Sequence, residues 1–171
     1  MHVCGKAIFS IVLSAATSRI VYELRPATID DYDFMYQLLV ASMKEYVEMT
    51  WSWEVEYQQD RFRTKFDPAL YESIVVDGQS VGAVSFLRQE TEFFLSEIQI
   101  MPESQNKGLG TRIIQDLVDR ANEVGLPVAL QVLKVNPAYR LYERLGFSRI
   151  GETETHNQMS RPRLIRQVAA N

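Results

Sequence analysis

The sequence predicts a single mixed α/β domain, with a mostly antiparallel sheet flanked by helices. Two observations carry that expectation. Hydrophobic periodicity switches along the chain in the order strand, two helices, three strands, helix, strand, helix, strands. No internal repeat and no Gly/Ser-rich or Pro-rich linker divides the 171 residues, a length suited to one domain.

The elements follow in order. The ordered domain is expected to begin near Val21, where residues 21–26 read as a strand ended by Pro26. Thr28 followed by Asp31 is a start signal of the capping-box type, with Asp in place of Glu or Gln. The helix behind it sets Met35, Leu38, Leu39, Ser42, Met43 and Tyr46 on one side. A second helix covers residues 55–66, with Phe62 and Phe66 one turn apart, and Asp67-Pro68 stops it. Residues 72–76 and 81–87 flank a tight Asp77-Gly78 turn, the signature of a hairpin, and residues 93–101 form the next strand.

Residues 108–122 are strongly amphipathic, with Leu109, Ile113, Ile114, Leu117, Val118 and Ala121 in one stripe. Residues 128–133 barely alternate, as a buried strand does. A short helix over residues 137–145 ends at Gly146, and residues 147–151 and 156–160 close the domain as strands.

Composition narrows the function classes. Apolar residues make up 46% and charged residues 23%, an ordinary globular balance. Eighteen Lys and Arg stand against 22 Asp and Glu, a net charge of −4, so there is no electrostatic case for a nucleic-acid partner. Cys4 is the only cysteine, which excludes an intrachain disulfide, argues against a Cys-based zinc site and fits a cytoplasmic setting. Residues 7–16 form an apolar run behind Lys6 that looks like a weak secretory signal but is too short to span a bilayer. An extra packed element, or a tail from an upstream start codon, are the other readings of residues 1–20. The tail of residues 161–171 reads as a solvated extension, with a homodimer contact as its alternative.

The most informative segment runs from Ile98 to Thr111. A strand enters a loop holding Gln105, Asn106, Lys107, Gly108 and Gly110 just before a helix. Glycine lets a ligand approach the backbone closely, and the first amides of a helix carry unpaired partial positive charge. Together they suit a pyrophosphate, with Lys107 adding a full charge. A P-loop is excluded because its Gly-Lys-Ser/Thr is missing, and the dinucleotide fingerprint because Ile113 stands where its third glycine belongs.

This pattern, with the order of elements from Tyr22 to Ser160, resembles the GNAT superfamily of acetyl-CoA-dependent N-acetyltransferases. The resemblance implies that acetyl-CoA binds as co-substrate and that amides of residues 105–110, at the head of a helix containing Leu109 and Thr111, hold its pyrophosphate. It also implies that the preceding strand, with Ile98 and Ile100, contacts the pantetheine arm and splays from residues 128–133 to leave a gap. A second signature of that family matches residues 136–147. There Asn136 contacts pantetheine, besides capping the helix that Pro137 opens. Tyr142 is placed beside the sulfur of coenzyme A, as general acid for the departing thiolate. A core tyrosine is the plainer reading of the same residue.

An amine acceptor must shed a proton, and no single base stands out. Glu92 falls where some family members carry a glutamate acting through water. Glu97 lies closer to the reacting carbonyl, and His156 is a weaker candidate. Tyr46, Trp51, Trp53 and Glu54 form an aromatic cluster with a carboxylate, suited to a cationic amine, and packing of the helix pair onto the sheet is the alternative reading of the tryptophans. The expected reaction is direct transfer from acetyl-CoA to a primary amine, with no metal and no membrane partner. A catalytically silent acyl-CoA-binding or regulatory module on the same fold is the alternative, and an unrelated phosphate-binding protein a third reading.

Overall fold

The computed structural model describes residues 20–164. The apolar run at residues 7–16 and the end of the C-terminal tail lie outside the described residues. The chain runs β1 (Glu23–Pro26), α1 (Tyr32–Thr50), α2 (Val55–Lys65), β2 (Glu72–Val76), β3 (Gln79–Arg88), β4 (Phe93–Ile100), α3 (Leu109–Glu123), β5 (Val128–Leu133), α4 (Ala138–Arg144), β6 (Ser148–Glu152) and β7 (His156–Arg161). These form one seven-stranded sheet in the order β1-β2-β3-β4-β5-β7-β6. Every neighbouring pair is antiparallel except β4 and β5. The predicted fold class and element order therefore hold.

Local chemistry explains the elements. Asp31 accepts from the amide of Thr28 at 2.7 Å and from both terminal guanidinium nitrogens of Arg25, so its carboxyl sits below the usual range, chiefly through the Arg25 hydrogen bonds. This capping box opens a short turn that leads into α1. Asp67 caps the turn after α2 by accepting from the amide of Ala69. Asp77 and Gly78 both take positive φ, 50° and 76°, as the two central residues of the hairpin turn require.

Two cores sandwich the sheet. Ala83 packs with Met35 and Leu38 of α1, while its neighbour Val84 points the other way, toward α3 and α4. All six residues of the predicted α3 stripe are buried. In α1 only Met35 and Leu38 are buried, because the second half of that helix projects past the sheet and over a cleft. β5 is buried along its length apart from Gln131. The tail is less free than expected: Arg163 donates to the carbonyl of Gly125 and the amide of Leu164 to the side chain of Asn122, both near the end of α3.

Gly82 marks the tightest point of the sheet. A Cβ there would collide with the carbonyl oxygen of Gln99 and press on Ile74 at 3.1 Å. Gly82→Ala should therefore cost about 1–3 kcal/mol through overpacking, read as a lower urea midpoint at unchanged slope; an unchanged midpoint refutes this.

Candidate active site

The site begins with a parting of strands. β4 and β5 pair only at Phe93–Val128, Phe94–Ala129 and Leu95–Leu130. Beyond that point they separate. β4 stays on β3, but its register slips there: Ser85 faces Glu97 and Phe86 faces Leu95, so Ser96 is an extra residue, a β-bulge. Past the bulge, the backbone groups of β4 turned away from β3 have no strand partner. A cavity of about 870 Å³ occupies the gap, bounded by residues 95–99 of β4, Gln131 to Leu133 of β5, and the overhanging helices α1 and α2.

Beyond the end of β4 the chain makes a short turn and enters α3. Asn106 and Gly108 both have positive φ, 58° and 85°, and a Cβ at Gly108 would meet nothing within 4 Å. Residues 105–108 are exposed, so packed side chains do not block the turn. The first intrahelical-type bond of α3 is from Arg112 to the carbonyl of Gly108, at 3.0 Å. The amides of Leu109, Gly110 and Thr111 have no such partner, which is the donor set an anion needs. Two sequence-predicted residues here have structural duties. Gln105 donates its side chain to the carbonyl of Ile100 at 2.8 Å and so braces the turn. Leu109 is buried in the core, so only its amide is free to serve.

α4 forms the far wall. Asn136 Oδ1 accepts from the amide of Ala138 at 2.9 Å, which fulfils the predicted cap. The residue also lines the cavity, and its amide nitrogen has no part in that bond. Tyr142 lines the cavity while 7% exposed, edge-on to Phe147 with ring centroids 5.7 Å apart. Burial alone pushes its phenol up to about 12, so it is fully protonated near neutral pH.

On the opposite wall Glu97 projects from β4 into the cavity. Tyr71 Oη donates to Oε1 at 3.3 Å and Gln99 Nε2 to Oε2 at 3.1 Å. Water reaches the carboxylate through the cleft, yet protein surrounds most of it. Desolvation therefore raises its pKa, outweighing the lowering by the Tyr71 hydrogen bond and the Arg61 charge. Burial, and after it the charge and hydrogen bond of the same carboxylate, push the Tyr71 phenol well above its ordinary value. His156, opposite Leu133 on β7, also lines the cavity, with Nδ1 2.8 Å from Thr155 Oγ1 and its ring 6.2 Å from that of Trp51. Burial lowers its pKa, favouring the neutral imidazole.

Three sequence-based expectations need correction. Glu92 does not reach the cavity. It ends the turn between β3 and β4, where its carbonyl accepts from Gln89, and an extended strand from Phe93 carries the chain away from it. Tyr46 does not line the cavity either. Leu39, Met43 and Val47 do, and Tyr46 is rotated off that face by one residue of helix. Ile100 packs in the core and would touch a Cβ at Gly110 at 3.4 Å, so its side chain supports the turn from below. Ile98, Trp51, Trp53 and Glu54 do line the cavity. The sequence reading missed Gln58, Arg61, Lys65, Tyr71 and Gln99, which stand around Glu97. The i, i+3, i+7 spacing of Gln58, Arg61 and Lys65 was the available signal.

Among the described residues, no helix is long and apolar enough to cross a membrane and no cluster of three or more His, Cys, Asp or Glu residues is placed to hold a metal. The family model described as "Acetyltransferase (GNAT) family" matches residues 32–147. Comparison with curated proteins found no match. Among solved structures, the PaiA N-acetyltransferase of Thermoplasma acidophilum, in complex with coenzyme A, is similar in fold, with a TM-score of 0.70, 16% identity, and coverage of 84% of this chain and 99% of that one. The ribosomal-protein-S18-alanine N-acetyltransferase of Escherichia coli superposes with a TM-score of 0.63 at 18% identity, covering 88% of this chain and 99% of that one.

Glu97 carries a stability signature. Its folded carboxyl binds a proton more tightly than the unfolded one, so its contribution favours folding at low pH and is lost as pH rises through the folded pKa. Glu97→Gln should thus melt higher than the parent protein at about pH 7, with the gain shrinking below the ordinary glutamate value of about 4.3. Thermal melts across that range check it, and a variant that melts lower at pH 7 contradicts it.

Proposed function

Because the chain belongs to the GNAT family of acetyltransferases, we propose that it moves an acetyl group from acetyl-CoA to a primary amine by direct attack. The observation that carries this reading is the gap between β4 and β5, with Ile98 on one side and Asn136 and Tyr142 on the other. Its dimensions and its two walls suit an extended thioester arm. The amides at the head of α3, which lack intrahelical partners, suit the pyrophosphate, and Lys107 lies beside them in the exposed turn. Asn136 has a side-chain nitrogen to offer the arm, and the unpaired edge of β4 offers amide donors to the thioester carbonyl.

In the reaction the amine nitrogen bonds to the acetyl carbon, the carbon–sulfur bond breaks, and sulfur leaves with the electron pair. The amine proton goes to a base. Glu97 is the group proposed for that role, since its raised pKa makes it a better acceptor than an ordinary carboxylate. Tyr142 is proposed to donate to the leaving sulfur. Its pKa of about 12 exceeds that of a free thiol, near 8.5, but burial raises a thiolate's proton affinity too, which narrows the gap. The spent phenolate regains a proton from solvent. Trp51, Trp53 and Glu54 stand on the acceptor side of the cleft, where an amine enters. His156, neutral and across the cleft, is a second group within the same cavity.

Tyr142→Phe should lower turnover by about one to two orders of magnitude and leave the calorimetric dissociation constant for acetyl-CoA unchanged. Turnover equal to that of the parent protein removes the proposed acid role.

A further inference from the structure

The acceptor end of the cleft is not simply a pocket for a cation. One face of α2 presents Gln58, Arg61 and Lys65 to the cavity, directly across from Glu97. Gln58 is only 6% exposed and lines the cavity beside Glu97, where its side-chain amide can donate to a ligand. Arg61 and Lys65 form no ion pair among the described residues, as is also true of Arg88, Lys107, Arg140, Arg144 and Arg161; what sets these two apart is their place in the cavity beside Glu97. Two cations and an amide donor thus line the cavity that holds Glu97, and a ligand carboxylate on their side would meet charge-assisted donors.

We propose that Gln58, Arg61 and Lys65 bind the carboxylate of a zwitterionic acceptor whose amine lies at Glu97, so that the substrate is a free amino acid. This rests on the acetyltransferase reading above and names its substrate class. Arg61, Lys65 and Glu97 line one cavity, so a small zwitterion can meet both signs of charge within it. The side-chain body then meets Leu39, Met43 and Val47 on α1, with Trp51 at the end of that helix, which favours an apolar side chain. The product keeps its carboxylate and loses the charge of its amine, becoming an N-acetyl amino acid.

The experiment compares phenylalanine, phenylalaninamide and phenethylamine, with leucine and isoamylamine as a second set, by release of free coenzyme A thiol. The amide is the decisive control. Its amine is the less basic, so without carboxylate recognition it should react faster than the acid. The expected result is a kcat/KM about tenfold or more higher for phenylalanine than for the amide, the scale of one or two charge-assisted hydrogen bonds. In Arg61→Ala/Lys65→Ala, both exposed positions, that preference should collapse to about one or reverse in favour of the amide, a ratio independent of any change in overall turnover.

Equal or faster reaction of the amide overturns the subsite, as does a preference that survives the double substitution. So does saturable acetyl-CoA binding without acetylation of any of these amines. Calorimetry with acetyl-CoA alone is the separate arm. No binding there overturns the acetyltransferase reading itself, and the subsite with it.

Discussion

Everything at the candidate site depends on two parallel strands that begin together and then part. β4 and β5 share three paired positions, enough to fix their relative direction. The extra residue at Ser96 then lets β4 keep its bonds to β3 while β5 follows β7 instead. A sheet ordinarily cannot open in its middle, since each unpaired backbone group buried away from water is costly. Here the exposed edge faces a cavity of about 870 Å³ that water or a ligand fills, so the cost is deferred to whatever occupies it. An extended chain with amide groups of its own, as pantetheine is, can restore the missing bonds on that edge.

The helices are arranged around this opening with distinct duties. α3 and α4 pack one face of the sheet, and Asn136, just before α4, lines the cleft. The head of α3 supplies unpaired amides, and the cap of α4 uses only one atom of Asn136. α1 and α2 cover the other face and supply the acceptor wall. Polarity follows that division. Backbone dipoles dominate where phosphates would sit, while full charges of both signs, Glu97 against Arg61 and Lys65, dominate where the acceptor would sit.

The sequence revealed what is locally encoded. The α3 stripe from Leu109 to Ala121 is a matter of helical period, and the Asp77-Gly78 turn is a matter of backbone freedom. Gly108 was legible for the same reason. Long-range register was not. No pattern in residues 93–100 states that pairing with β5 stops at Leu95, or that Ser96 bulges. Counting back from the loop therefore promoted Glu92 alongside Glu97, although only Glu97 reaches the cleft. Tyr71 escaped because it meets Glu97 across 26 residues of sequence. Arg61 and Lys65 escaped because cations on a polar helix look solvated until the opposing wall is known.

The placement of Glu97 links chemistry to folding. A carboxylate whose pKa is raised by desolvation is one the fold would rather hold protonated, so its retention works against stability. Tyr71 and Gln99 each donate to one of its oxygens, which fixes its orientation and offsets part of that cost. Arg61 lies close enough to lower the pKa but does not close an ion pair with it. A closed pair would neutralise the carboxylate and remove its basicity. An open one leaves Glu97 basic and leaves Arg61 with unspent charge, so a ligand that brings an ammonium to one and an anion to the other satisfies both at once. The same separation that costs the empty protein stability is thus what would give the site its preference for a molecule carrying both charges.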